Sequence, residues 1–450
     1  MKIFIFIILF ILIYSSSILK FPFKRVIPDS NNINPENFID LLYYSNYYIE
    51  LNIGSNNQKI PMRVSFDNYH SFITISNYTG NFKKYNPEQS TTYQKLYGER
   101  FFSLINIKKG IYSKETFTLY DINNKKVITE NIKFVLATFP NVNISGEFGM
   151  SLSTKDEQYN ELVEYNFIKN LHQNNYINHK IFFINFFNKN SGEILIGDYP
   201  DKYSNYDSNS LIKEYIPTDK NGFHWGMKDI VSKIKGKDLF IRPQIAEFSI
   251  EKYLIQPHSC YKEKIDELFF KEQIQANNCI FVNESYEYSF YHCDKNINLS
   301  NFPKLVFYQR TFNYSFELNS SDLFEDFGDR KYFLMNFIGN SEKWVLGHPF
   351  LKKYKFVYNF DSNTIEMYFK FKDSNDEKDE NNFNKLWILV IICSIIIIIL
   401  SIIIYILMKK FPRKKRVNEL DEYFDYKDKE DIETNEKIIN QSENKIGIND

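Results

Sequence analysis

Short runs in which apolar and polar residues alternate fill the chain between Asp40 and Phe371. The clearest runs are YYIELNIG, MRVSFD, SFITIS, TFTLYDI, IKFVLATF, KIFFINFF, GEILIGD, KLVFYQRTFNYSFEL, WVLGHPF, FVYNFD and TIEMYFKF. They are rich in Ile, Val, Phe, Tyr and Thr and are separated by Asn, Gly, Asp and Ser, which is typical of strands joined by turns. The pattern therefore predicts an all-β body.

Helical patterns are scarce. The two best segments are DEQYNELVEYNFIKNLHQNN and KEKIDELFFKEQIQ, in which apolar residues recur at spacings of three and four. We expect short helices there, added to a body that is otherwise made of strands.

An apolar run opens the chain. Lys2 precedes the apolar residues 3–14, and small serines follow at 15–17, which is the order of a secretory signal peptide. The sequence predicts a signal peptide over residues 1–18. A retained signal anchor is the alternative, although the run is short for a membrane span.

A second apolar run, Leu386 to Met408, contains 23 residues without a charge. At 1.5 Å per residue a helix of this length crosses a hydrocarbon layer of about 30 Å. Lysines and arginines follow it, whereas the stretch before it is acidic, so the positive-inside rule places the body outside. We predict an acidic stalk at 372–385, a transmembrane helix at 386–408 and a cytoplasmic tail at 409–450. The protein would be a single-pass type I membrane protein of the cell surface or endomembrane system, with an extracellular or lumenal ectodomain.

An ectodomain of this kind can carry glycans and disulfides. Of the four cysteines, Cys393 lies in the predicted span, which leaves Cys260, Cys279 and Cys293 for one disulfide. Their spacing favours a local loop staple over a zinc site, and we predict neither a metal nor a cofactor. N-glycosylation sequons begin at Asn77, Asn143, Asn283, Asn298, Asn313 and Asn319.

The net charge of −1 gives no basic field for a nucleic-acid partner. Composition thus leaves a large secreted or membrane-anchored β protein, and its motifs must indicate the function.

Five segments, taken in order, resemble stretches of the pepsin-like aspartic peptidases. They are YYIELNIGSNNQKIPMRVSFD, NPEQSTTYQKL, GEFGMSLS, NKNSGEILIGDYPDKY and WVLGHPFLKKYKFVYNFDSNTIEMY. Together they span residues 41–371. The resemblance implies a bilobal pepsin-like acid-protease fold with lobes at 41–205 and 206–371 and a peptide or protein ligand in the cleft between them.

In that family each lobe delivers one Asp, in the sequence Asp-Thr-Gly, to the floor of the cleft. Two carboxylates about 3 Å apart cannot both ionise, so one holds a proton while the other activates a water. Asp67 matches the first of these positions, but Asn68 and Tyr69 replace Thr and Gly. Asn68 could still bond across the floor, whereas a phenol at 69 stands where the family has only a hydrogen.

The second position departs further from the family. AEFSIEKYLIQP resembles the second catalytic stretch and aligns Ser249 with the second Asp. Glu247 and Glu251 lie on the same strand face, but a shift of two residues moves a side chain by about 6.6 Å, so we treat their substitution for the Asp as a remote alternative. At the family's flap Tyr position the chain has Ser103.

The resulting hypothesis is a pseudoprotease that retains the cleft for binding, with Asp67 vestigial and Ser249 in place of the second Asp. An active aspartic endopeptidase with divergent loops and a structural surface protein are the alternatives. A serine-hydrolase triad of Asp67, His70 and Ser71 is disfavoured, because neighbours in one turn cannot converge on a substrate.

The resemblance also bears on the disulfide. Cys293 resembles a cysteine of the second lobe whose usual partner is missing here, and Cys279 is near enough to pair with it across a hairpin. We predict a Cys279–Cys293 bridge, with Cys260–Cys279 as the alternative.

Overall fold

Strands dominate the chain between Leu19 and Tyr368, and their burial follows the predicted alternation. In the strand Leu19–Val26 every second side chain is buried, because successive side chains of a strand point to opposite faces. The structure is a computed structural model, and it describes residues 18–26, 46–75, 83–104, 107–140, 144–152, 165–200, 211–214, 224–240, 242–257, 259–283, 289–311, 313–337 and 343–368.

The strands before residue 200 are β1 (Leu19–Val26), β2 (Asn46–Ile53), β3 (Gln58–Ser65), β4 (Phe72–Thr74), β5 (Gln94–Leu104), β6 (Ile107–Tyr120), β7 (Lys126–Pro140), β8 (Gly146–Gly149), β9 (Ile181–Asn188) and β10 (Ser191–Ile196). Those after it are β11 (Leu211–Glu214), β12 (Gly226–Ile234), β13 (Lys237–Asp238), β14 (Gln244–Phe248), β15 (Cys279–Asn283), β16 (Ser289–Asp294), β17 (Leu305–Gln309), β18 (Tyr314–Leu318), β19 (Phe324–Phe327), β20 (Arg330–Phe333), β21 (Trp344–Leu346), β22 (Phe356–Asn359) and β23 (Thr364–Tyr368).

Helices are short, as the sequence predicts. They are α1 (Phe167–Gln173), α2 (Lys262–Ile265), α3 (Lys271–Gln275), α4 (Ser320–Leu323) and α5 (His348–Lys353), with a π turn at Asp266–Phe270 and 3-10 turns at Pro87–Gln89, Ser259–Tyr261 and Leu299–Asn301. Both segments with helical spacing contain helices. The run WVLGHPF was expected to be all strand, but it turns helical at His348 because Pro349 suits a first helical turn and cannot donate to a sheet.

The strands form three sheets. The largest has 13 strands in the order β11-β23-β22-β9-β10-β1-β2-β3-β8-β4-β7-β6-β5, so it contains strands from both ends of the described chain. A second sheet has the order β18-β17-β12-β14-β21, and a third has the order β15-β16-β20-β19. The strand β1 was not among the predicted runs, yet it pairs with both β10 and β2.

An aromatic cluster fills the core where the largest sheet meets the second sheet. The rings of Phe182 and Tyr358 stack 4.5 Å apart, and Trp225 and Phe66 pack against the same pair. Trp225 Nε1 donates to the carbonyl oxygen of Met150 at 2.7 Å. This cluster holds together the two regions that carry the candidate site.

The predicted disulfide is confirmed. Cys279 and Cys293 lie directly opposite each other on the β15–β16 hairpin, with their Cα atoms 4.0 Å apart, and their sulfurs are bonded. Cys260 lies outside this bridge. The hairpin brings the two cysteines together without help from distant parts of the chain.

Several predictions concern residues outside the described ranges: the signal peptide up to Ser17, the stalk, the apolar run 386–408, the tail, Asn77 and Asn143. The chain divides into units 1–372 and 373–450, and the structure describes residues only in the first. None of the helices it describes has the length and apolar character to cross a membrane. Asn283, Asn298 and Asn313 are exposed, whereas Asn319 is half-buried and caps α4.

Candidate active site

The site is built from two loops that follow equivalent strands. The first loop, residues 66–71, follows β3, and the second loop, residues 250–255, follows β14. Each of these strands has a short parallel neighbour that ends in glycine: β3 pairs with β8, and β14 pairs with β21 just before Gly347.

Gly149, at the end of β8, presses against the first loop. A Cβ atom placed on it would lie 2.5 Å from the carbonyl oxygen of His70 and 2.7 Å from that of Asn68. Only a residue without a side chain fits so close to backbone. The amide of Val135 in β7 binds the next loop carbonyl, that of Ser71, at 3.1 Å.

Gly347 repeats this arrangement in the second loop. A Cβ atom on it would collide with the carbonyl oxygens of Lys252 and Leu254. The amide of Asn336 binds the next loop carbonyl, that of Ile255, at 2.9 Å. The pattern of contacts is the same in both loops.

The equivalence fixes which residues correspond. Lys252 corresponds to Asn68, and Ile255 corresponds to Ser71. In each case the second residue number exceeds the first by 184, and the same offset relates Asp67 to Glu251. The stretch SFDNY of the first loop therefore corresponds to SIEKY of the second.

This result corrects the alignment of Ser249 with the second catalytic Asp. Ser249 corresponds to Ser65, and Glu251 occupies the position equivalent to Asp67. A slip of two residues leaves every side chain on the same face of a strand, so the alternating pattern cannot reveal it. The two loops thus deliver one Asp and one Glu.

The backbone of Asp67 is hydrogen-bonded to the carboxylate of Glu251. The amide of Asp67 donates to Glu251 Oε1 at 2.9 Å and to Ser65 Oγ at 3.2 Å. The hydroxyl of Ser249 donates to Glu251 Oε2 at 3.0 Å. Both oxygens of Glu251 are therefore bound, one of them to the opposite loop.

The negative charge of Glu251 is the largest cause that raises the pKa of Asp67, which reaches about 8. Desolvation adds to the rise, and the charge of Lys252 opposes it. Solvent still reaches the Asp67 side chain, although protein surrounds it closely. Asp67 consequently keeps its proton through the acidic and neutral range.

Asn68 does not bond across to the second loop. Its side-chain amide donates to Glu147 Oε1, and Glu147 is fully buried. Arg63 of β3 forms an ion pair with the other oxygen of Glu147. Burial alone would lower the pKa of Arg63, but the charge of Glu147 and its hydrogen bond raise it above the ordinary value. Asn68 is thereby held within its own lobe.

The tyrosines at the glycine positions are tolerated. Neither Tyr69 nor Tyr253 has a positive φ angle, so the loops do not need glycine here. Tyr69 is buried near Lys169, and Tyr253 stacks on His348 at 4.7 Å. Each phenol packs into the core of its own region.

The remaining predicted residues are placed as follows. Ser103 lies in β5. The structure does not describe the side chains of residues 101–106. His70 and Ser71 are buried, and Ser71 Oγ accepts a hydrogen bond from Gly149, so this serine is not presented to a substrate. Within the described ranges no group of three His, Cys, Asp or Glu side chains is placed to hold a metal ion.

Comparisons with known proteins agree with this geometry. The sequence model of the family "Eukaryotic aspartyl protease" matches residues 46–368. Among solved structures, the crystal structure of basic 7S globulin from soybean superimposes with a TM-score of 0.58 at 11% identity, covering 80% of this chain and 97% of that one. No curated protein matches the sequence. At this identity the structural match supports the fold alone.

Proposed function

The chain belongs to the eukaryotic aspartyl protease family, and from that premise we propose that its domain is a pseudoprotease. The cleft between its lobes would bind a peptide or protein segment without cleaving it. The observation that carries this proposal is the position of Glu251, whose two oxygens bind the amide of Asp67 and the hydroxyl of Ser249.

Cleavage by this family's chemistry needs two carboxylates that hold a water between them. Glu251 is one methylene longer than Asp, and its Oε1 accepts a hydrogen bond from the backbone amide of Asp67 in the opposite loop. The carboxylate therefore serves as a tie between the loops. Catalytic geometry must be held within about 0.5 Å, so a displaced carboxylate loses most of its effect.

An active endopeptidase is the second candidate, and one observation favours it. Asp67 and Glu251 occupy equivalent positions, and the pKa of Asp67, raised to about 8, keeps this carboxyl protonated at acidic and neutral pH. This is the protonation state that aspartic peptidases use. A structural surface protein, with no ligand in its cleft, is the third candidate.

One assay separates these functions. The full-length protein is incubated with a mixed peptide library from about pH 3 to about pH 7, and retained peptides are identified by mass spectrometry. We expect peptides to be retained intact, with no cleavage above background. The Asp67→Asn and Glu251→Gln variants test the pair, and Ser249→Ala is the control at the position that the sequence alignment favoured.

Turnover that both carboxyl variants abolish, but Ser249→Ala leaves in place, would establish the endopeptidase instead. The absence of both retention and cleavage would favour the structural role.

We also propose that Leu386 to Met408 anchors the protein as a type I membrane glycoprotein. The uncharged length of this run and the cationic residues after it support the orientation. On intact cells an added protease should digest the body and spare an epitope in residues 409–450. Digestion of that epitope from outside, with the body spared, would refute the orientation.

A further inference from the structure

A cavity of about 440 Å³ lies beside the second loop, behind Tyr253. It is lined by residues of six stretches of the chain, among which α4, β19, β20 and α5 contribute charged side chains. Those that carry the argument are Lys189, Glu325, Lys331, His348, Lys352 and Lys353. No residue of the Asp67 and Glu251 pair lines this cavity.

His348 forms part of the wall and lacks its polar partners. The side chain is buried, with 3% of its surface exposed, and neither ring nitrogen has a hydrogen-bond partner in the described part of the chain. Tyr253, Tyr47 and Phe186 pack around its ring. A buried polar group without a partner is destabilising, so a histidine of this kind in a cavity wall is a candidate to bind a ligand.

Positive charge exceeds negative charge around this histidine. Lys189 pairs with Glu325 at 2.8 Å, and Lys331 and Lys353 pair with Asp326 and Asp322. Lys352 also lines the cavity, is exposed, and has no ion pair among the residues described.

Arg25 of β1 adds a further cation behind Tyr253. Its guanidinium lies 3.6 Å from the centre of the Tyr253 ring, and within the described part of the chain its Nε and Nη2 atoms have no hydrogen-bond partner. The three acids of the wall are thus outnumbered by four lysines and this arginine.

We propose that this cavity binds an oxyanion, either a carboxylate or a phosphate group, between Lys352 and His348. An oxyanion supplies an acceptor to Lys352, which has no ion pair among the residues described, and charge-assisted hydrogen bonds of this kind are short and strong. A cation would meet the excess positive charge, and an apolar ligand would leave the ring nitrogens of His348 unbonded.

The electrostatics of His348 supply an independent readout. Burial lowers the pKa of His348 well below its ordinary value, and the charges of Arg25, Lys352 and Lys189 lower it further. Tyr47 on β2, Tyr253 after β14 and Glu325 on β19 also face this region. The ion pairs of Lys331 with Asp326 and of Lys353 with Asp322 complete the charged wall. A bound anion would offset the cations and raise the pKa of His348.

The test uses the full-length protein with inorganic phosphate, acetate and chloride, compared at equal ionic strength. We expect phosphate or acetate to raise the melting temperature in a saturable manner and to shift the ring resonances of His348, whereas chloride does neither. Comparison of the phosphate and acetate arms identifies which oxyanion group the cavity takes.

Variants then locate the binding. Lys352→Gln should weaken the affinity about tenfold, and Lys352→Arg should retain it. Lys304→Gln is the matched control, because it removes the same charge from an exposed lysine that pairs with Glu317 away from the cavity. The proposal fails if neither oxyanion binds saturably, if Lys352→Gln binds as wild type, or if Lys304→Gln weakens binding equally.

Discussion

Replacing Arg63 by methionine is expected to lower the free energy of unfolding by about 3–5 kcal/mol. Arg63 forms an ion pair with Glu147, whose side chain is fully buried between β3 and β4. Methionine keeps most of the packed length of Arg63 but removes the counter-ion of the Glu147 carboxylate, which still accepts a hydrogen bond from the side-chain amide of Asn68. A buried charge that loses its counter-ion is far more costly than one in water.

A matched control lies on the same pair of strands. Lys59 on β3 pairs with Glu50 on β2 at 3.3 Å, with both side chains more than half exposed. The Lys59→Met variant should change the unfolding free energy by less than about 1 kcal/mol, because exposed ion pairs contribute little. Urea unfolding monitored by tryptophan fluorescence compares the two variants. Equal, small losses for both would show that the Arg63–Glu147 pair is not a buried ion pair.

A double variant separates the lost pairing from the lost packing. Arg63→Met combined with Glu147→Leu removes both charges together, and apolar replacements of a buried pair are often close to neutral. We expect this double variant to recover much of the stability that Arg63→Met loses. Recovery would also show that the pair is dispensable for the fold.

Much of the strand content could be predicted from the sequence, because half-buried strands leave a period-two pattern that needs no tertiary information. The β15–β16 hairpin and its disulfide could also be predicted, since both cysteines are close in the chain. The strand β1 was missed because it follows directly after the signal-like run and contains Pro22, which argues against a central strand.

The second carboxylate could not be placed from sequence. The choice between Ser249 and Glu251 depends on which loop carbonyls lie against Gly347, and the parallel pairing of β14 with β21 brings this glycine from a distant part of the chain. Whether tyrosine is tolerated at positions 69 and 253 likewise depends on the backbone φ angles of the two loops, which are set by the folded structure. One internal signal was present: SFDNY and SIEKY share their serine, acid and tyrosine positions.

Protonation of Asp67 also links the site to stability. Its pKa in the folded protein, about 8, lies above the ordinary value near 4, so the folded state binds this proton more tightly than the unfolded state does. The contribution of Asp67 to stability is therefore fully present below about pH 4 and is lost as the pH rises through about 8. Removing the charge of Glu251 should reduce this dependence, because that charge is the largest cause of the raised pKa.

The most direct test of the two-carboxylate site is a titration of the Asp67 side-chain carboxyl by carbon-13 NMR in wild type, Glu251→Gln and Ser249→Ala. We predict a titration midpoint near pH 8 for Asp67 in wild type, and a midpoint lower by at least about two pH units in Glu251→Gln. Ser249→Ala removes one hydrogen bond to Glu251 but keeps its charge, so its midpoint should stay near that of wild type. A wild-type midpoint in the ordinary range of aspartate, or a raised midpoint that Glu251→Gln leaves unchanged, would contradict the account.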